Sequence, residues 1–194
     1  RMLRGEAHWL VRVASRLLAA HPKLLAAMLK IAFILKKLGV SKLARPLLRR
    51  TGLSVLAAMD EHTDEAPLRN LDDLTRNRIN SETPAYRYFA ACGPRYLYPR
   101  VGTATMFALD KLKGEGGAYL NNPCCGLLSH NYGELEDARQ LAKKNIEHAE
   151  KNGDEQIISD CSSCAAFLKT YPQLFLKPED AQWRKRAEIF SKRV

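Results

Sequence analysis

The sequence predicts an α/β fold: a small parallel sheet of β-α-β units preceded by a helical segment. Three observations predict it. Short apolar or aromatic runs at Tyr86–Ala91, Ala118–Leu120 and Gln156–Ser159 have the length and composition of buried strands. Stretches of helical periodicity separate them, so the order is strand, helix, strand, which implies right-handed crossovers and parallel pairing. The residues before Tyr86 carry helical periodicity without strand-like runs.

The elements follow in order. Leu3–Ala20 places Trp9, Leu10, Val13, Leu17 and Leu18 near one face of a helix. Pro22 suits the first turn of a second helix, which Gly39 ends, and Ser41 begins a third piece that Pro46 interrupts. Residues 1–58 are therefore read as a basic helical linker or docking segment. Residues 59–85, acidic and polar with Pro67 and Pro84, read as an irregular linker. Residues 86–194 form the α/β domain. Within it Val101, Ala104, Ala108 and Leu112 keep helical spacing after the first strand. A long helix over about Glu134–Lys151 turns Leu135, Ala138, Ala142, Ile146 and Ala149 inward. A last helix, starting near Cys161, carries Ala165, Phe167 and Leu168.

Composition narrows the class. The 194 residues are 46% hydrophobic and 27% charged, which suits a globular protein and excludes collagen-like, wholly disordered and disulfide-dense readings. The net charge of +10 is confined to one end. Residues 1–58 hold 12 Lys+Arg against Glu6 alone, whereas the remainder is nearly neutral. The most apolar run, Leu24–Leu35, is 12 residues long and contains Lys30, short of the roughly 20 apolar residues a membrane span needs. Without a secretory signal pattern, the five cysteines read as reduced thiols of a cytoplasmic protein. Arg1 in place of an initiator leads us to expect a fragment or processed product.

The cysteines carry the chemistry. Cys92, Cys124 with Cys125, and Cys161 with Cys164 each follow a predicted strand. In an open parallel sheet all strand carboxyl ends lie on one edge, so three groups distant in sequence converge. Zinc takes four ligands, commonly from two C-x-x-C hooks, and only Cys161–Cys164 is one. A thioredoxin-like reading of that hook leaves three cysteines unused. An iron–sulfur cluster accepts thiolates from several directions. Spacing alone leaves all three open.

The pattern Cys92-x31-Cys124-Cys125-Gly126-x34-Cys161-x-x-Cys164 resembles the cysteine-rich CCG domain. That domain occurs in heterodisulfide reductases, in the iron–sulfur subunit of glycolate oxidase, and in lactate-utilisation proteins. Asn-Pro before Cys-Cys-Gly, Pro99 and Ala104 after the first cysteine, and the Asp137-Ala138 helix fit as well, over about residues 86–175. The resemblance implies a 4Fe–4S cluster, either noncubane and ligated by Cys92, Cys124, Cys125, Cys161 and Cys164 together, or a more ordinary one ligated by four of them. It implies an electron-transfer subunit of a multi-subunit oxidoreductase. A flavoprotein dehydrogenase partner, which would hold the flavin, oxidises a 2-hydroxy acid such as glycolate or lactate, and other iron–sulfur domains and a quinone or other carrier take the electrons. Two alternatives stand beside it: disulfide reduction at a noncubane cluster, as in the heterodisulfide reductases, and a zinc-stabilised interaction module. The ferredoxin-like domain and second CCG domain of these relatives are not in the sequence, in keeping with a fragment.

Lesser candidates have bland readings. His130 either reaches the cluster edge or is a loop histidine satisfied by backbone. Asn121 and Asn122 satisfy turn backbone before the cysteine pair, Asp160 caps the last helix, and Gly93-Pro94 shapes the first ligand loop. No phosphate-binding glycine motif is present. The basic helices pack on their own protein, dock on an acidic subunit, or make peripheral contact through residues 1–50 with the inner membrane face. Aromatics are sparse there, so nucleic acid is not an expected partner.

Overall fold

A computed structural model describes residue 13 and residues 21–51, 53–63, 66–78 and 83–194. The helix expected over Leu3–Ala20 lies outside the described residues apart from Val13. Helix α1 (Pro22–Lys37) has proline in its first turn, and Gly39, at φ +77°, turns the chain into α2 (Val40–Arg50). Helix α2 runs through Pro46 rather than breaking there. Proline removes one N–H but keeps a helical φ, so a short helix tied at both ends survives it. The ties lead to α3 (Ser54–His62). Asp60 accepts from Arg45 Nε at 2.6 Å and sits 3.4 Å from Lys36 Nζ, and Arg49 pairs with Glu61 at 2.6 Å. In α1 and α2 only Phe33 is buried; Ile31, Leu38, Leu43 and Leu47 are all more than half exposed. Among the described residues, no helix is long and apolar enough to cross a membrane.

The stretch read as irregular contains α4 (Leu71–Leu74). Asn70 caps it by accepting the Asp73 N–H at 3.0 Å. Leu71 is fully buried and fills the space beside Gly102, where a Cβ would meet its methyl groups. Leu71 thus helps anchor a polar segment that composition alone reads as a linker.

The sheet has β1 (Arg87–Tyr88) between β2 (Ala118–Tyr119) and β3 (Ile157–Ile158), in the order β2-β1-β3. Both pairings are parallel, with Arg87 opposite Ala118 and Ile157. This is the predicted α/β arrangement, with strands shorter than the apolar runs. The ladder continues a step past each paired segment, through Leu120 N–H to Tyr88 O at 3.0 Å and Phe89 N–H to Ile158 O at 2.8 Å. Both faces are covered, as parallel sheets require. Alternation along β1 sends Tyr86, Tyr88 and Ala90 into a cluster with Leu71, Met106 and Tyr119. Phe89 and Ala91 point to the opposite face, with Leu120, Ile146, Ile157, Phe167 and Tyr171.

Helices flank the sheet. In α5 (Pro99–Lys113) the periodic face of Val101, Ala104, Ala108 and Leu112 points to solvent, and Pro99, Gly102 and Met106 are buried instead. The small Gly102 admits Leu71 and lets that opposite face approach the core. Helix α6 (Leu127–Asn131) is short. In α7 (Leu135–Lys151) the expected Ala138, Ala142, Ile146 and Ala149 are buried, whereas Leu135 stands exposed in the first turn. Helix α8 (Ser162–Lys169) buries Phe167 and Leu168. Helix α9 (Ala181–Lys192) was not expected. It brings Phe190 to stack on Tyr171 at 5.4 Å between ring centroids. The spacing of Trp183, Ala187, Phe190 and Val194 is its signal in the sequence.

This packing has two testable consequences. A Cβ at Gly117 would run into the Tyr86 ring, so Gly117→Ala should destabilise by about 1–3 kcal/mol, read as a fall in denaturation midpoint. Asp110 accepts from Arg78 Nη2 and the Tyr86 hydroxyl, each at 2.8 Å, and from the Gly117 N–H at 3.0 Å. Burial alone would raise its pKa, but these donors outweigh burial and hold the carboxyl below its usual 3.8. A carboxylate depressed on folding stabilises the fold above its ordinary pKa and loses that contribution as pH falls through the folded value. The stability gap between the wild type and Asp110→Asn should therefore be full at neutral pH and shrink in acid below 3.8. Denaturation midpoints across that range check it.

Candidate metal centre

Parallel pairing carries the chain off the same sheet edge three times. Cys92 lies four residues beyond Tyr88, Cys124 five beyond Tyr119, and Cys161 three beyond Ile158. The three loops meet there. Cys92 Sγ is 3.5 Å from Cys124 Sγ, and Cys125 Sγ is 3.3 Å from Cys164 Sγ. All five thiols are free. Cys125 and Cys164 are buried, and Cys92, Cys124 and Cys161 are half-buried. The adjacent cysteines thus each face a different partner. Gly126, at φ +91°, turns the chain sharply after them into α6. Among the described residues, no three Cys, His, Asp or Glu side chains are grouped as a single metal ion would need.

The thiols differ in acidity. Cys124 is held well below the ordinary thiol value by hydrogen bonds from the Cys125 and Cys92 thiols, with help from the Gly126 N–H and the Arg95 charge. Cys164 is likewise lowered, first by Cys125. Cys125 is pushed up by its bonds to Cys124 and Cys164, and Cys92 by its bond to Cys124 and by burial. Burial also raises Cys161. In each contact one thiol, Cys124 or Cys164, is shifted down and its partner is shifted up. Metal binding requires such thiols to give up their protons. A set of soft sulfur donors with no disulfide fits a thiolate-bound iron–sulfur group.

Buried polar groups hold the loops. Asn122 accepts the Ala90 N–H at 2.8 Å and donates to Ala90 O at 3.0 Å and Pro123 O at 2.8 Å, the structural role expected of it. Asn121 sits at φ +50° and accepts from Arg95. Asn145 donates to Cys124 O at 2.9 Å and to the Tyr171 hydroxyl at 3.0 Å. Tyr171, fully buried, donates to Cys125 O at 2.7 Å. Gly93–Leu97 winds as a π-helical turn, so Gly93-Pro94 shapes the chain directly after Cys92.

One side chain departs from expectation. Asp160 does not cap α8: Cys161 takes the cap position, and Asp160 accepts from the Tyr88 hydroxyl at 2.8 Å and from Thr105 at 3.3 Å. The His130 ring lies tilted on Phe167, 5.1 Å between centroids. Arg95, Asn145 and Tyr171 escaped the sequence reading. For Asn145 a signal exists, because an amide stands on the apolar stripe of Ala138, Leu141, Ala142 and Ala149.

Residues 86–169 match the model of the CCG family, described as a cysteine-rich domain. The chain is 35% identical over 105 residues to lactate utilization protein A of Exiguobacterium sp., covering 54% of this chain and 42% of that protein. It is 34% identical over 100 residues to the protein of that name from Macrococcus caseolyticus, covering 52% and 39%. With the Bacillus subtilis protein it shares 30% over 100 residues, covering 52% and 40%. The chain thus spans about two fifths of the length of these relatives. No solved structure matches it.

Tyr171→Phe tests the anchoring of the cysteine pair. The variant leaves the Cys125 carbonyl buried without its donor, which should cost about 1–3 kcal/mol in chemical denaturation of the metal-free chain. An unchanged midpoint would refute the anchor.

Proposed function

From a chain that carries a CCG cysteine-rich domain, we propose an electron-transfer role. Cys92, Cys124, Cys125, Cys161 and Cys164 would hold a 4Fe–4S cluster within an assembly that oxidises lactate or a related 2-hydroxy acid. The observation that carries this reading is the gathering of five free thiols off one sheet edge, four of them in two Sγ–Sγ contacts of 3.5 and 3.3 Å. A single tetrahedral ion needs its sulfurs round one point, whereas a cluster of several irons takes thiolates from separated directions. When bound, such a cluster accepts and releases single electrons. The protein's own residues supply the rest. Cys124 and Cys164 are the thiols whose acidity is raised, Asn145 and Tyr171 hold the Cys124 and Cys125 carbonyls, and Phe167, Leu120 and Ile146 share the apolar cluster that packs them.

The surroundings favour a relay over disulfide cleavage. The gap beside Cys92 and Cys124, walled by Ala90, Arg95, Tyr96 and Pro123, has a cavity volume of only about 10 Å³. Organic substrates occupy pockets of about 300–1,000 Å³. The wide cleft nearby runs along Leu127, His130, Ser163, Phe167, Thr170 and Leu176, and none of the described cysteines lines it. In this reading the electrons come from a flavin on a partner subunit and leave through other iron–sulfur domains toward a quinone or other carrier. The exposed apolar face of α1 and α2 supports their burial against a neighbour in that assembly. Five reduced thiols support a cytoplasmic setting.

Metal and acid-labile sulfide per chain, on anaerobically purified protein, test the proposal. About four irons with equal sulfide, and an iron–sulfur EPR signal on reduction or oxidation, are expected. Cys124→Ser and Cys164→Ser should each lower the iron content. About one zinc without sulfide would overturn electron transfer.

A further inference from the structure

The first thiol pair joins two loops, and one buried cation spans both. Arg95, three residues after Cys92, is only 9% exposed. Its Nη1 donates to the backbone carbonyl of Asn122, and its Nη2 to Asn121 Oδ1 at 3.0 Å. These acceptors sit immediately before Pro123-Cys124-Cys125. On its other side, Nε and Nη2 reach one oxygen of Asp72 at 3.1 and 2.8 Å. The second Asp72 oxygen accepts from the Tyr119 hydroxyl at 2.5 Å. Asp72 belongs to α4, outside the matched cysteine-rich domain, and Tyr119 to β2. Arg95, Cys92 and Cys124 line the same small gap.

Burying a guanidinium is costly unless its charge and its N–H groups are satisfied. Here a carboxylate and two asparagines satisfy it, with the charge left beside the sulfurs. The planar fork suits this use, because it donates in several fixed directions where a lysine would act as a point charge.

We propose that Arg95 is a positioning residue for the cluster: anchored by Asp72, it clamps the Cys92 loop to the Cys124 loop and keeps a fixed positive charge beside that pair. The inference rests on the cluster reading for its consequence, though the clamp itself is a property of the polypeptide. It also gives the segment before the domain a task, since α4 supplies the anchor.

Hydrogen exchange on the metal-free chain tests the clamp. In Arg95→Met, amides of residues 92–98 and 120–126 should exchange faster together, while those of 159–164 keep wild-type rates. Asp72→Asn should shift the same two loops less. Wild-type rates in both loops of Arg95→Met would overturn the proposal. Arg95→Lys, which keeps the charge without the fork, serves if the methionine variant fails to fold, and should loosen the same two loops. On the cluster-loaded chain, Arg95→Met should lose iron to a chelator about 10-fold more readily, the scale typical of groups supporting metal ligands. Its potential in an EPR-monitored titration should move negative, because a positive charge favours the reduced cluster. Arg95→Lys should restore the potential but not the chelator resistance. An unchanged potential in Arg95→Met would overturn the role of the charge. A wild-type chain that takes up no iron and sulfide would overturn the functional reading, and the exchange experiment would still decide the clamp.

Discussion

Parallel pairing with β1 is the constraint on which the rest of the structure depends. The ladder is short, yet it points three strand ends the same way and delivers three cysteine-bearing loops to one edge. An antiparallel neighbour would have sent one loop to the opposite edge and divided the thiols. Parallel strands need covering on both faces. The crossover helices α5 and α7 and the α8–α9 layer supply that cover, so the segments between cysteines serve as shielding as well as connection.

Large aromatic residues fill so small a sheet, and their hydroxyls connect it outward. Tyr86, Tyr88, Tyr119 and Tyr171 are all fully buried. Each hydroxyl reaches a carboxylate or a backbone carbonyl: Asp110 and Met106 for Tyr86, Asp160 for Tyr88, Asp72 for Tyr119, and Cys125 for Tyr171. A buried tyrosine combines a large apolar area with one polar atom that needs a partner. Here the partners lie on different segments, so meeting that need ties α4, α5 and the cysteine loops to the rest of the core.

The two ends of the chain follow different physics. Helices α1 to α3 are joined by exposed or half-exposed ion pairs and expose much of their apolar surface. Around the cysteines Asn122, Asn145 and Tyr171 are buried and donate to backbone carbonyls. Exposed ion pairs contribute little to stability, whereas buried hydrogen bonds are costly to break and fix geometry. The costly buried bonds are thus concentrated at the cysteine loops, and the basic segment offers a surface instead.

Much was legible from sequence because it is local. The three apolar runs, the helical stripe of α7 and the cysteine spacing each depend on residues near one another in the chain, and pattern alone locates them. The order of strands and helices then implied that the thiols converge, and the family match at residues 86–169 agrees with the resemblance read from their spacing. What only the tertiary structure decided is non-local. The inward face of α5 is set by Leu71 entering beside Gly102, 31 residues away, so its most periodic apolar stripe faces water. Arg95 reads as one more surface charge until Asp72 and the Asn121-Asn122 turn surround it. Asp160 forgoes the helix cap for Tyr88, a residue of another strand. A polar or charged side chain takes its role from whichever partner satisfies it, and that partner comes from a distant part of the chain, which no local pattern records.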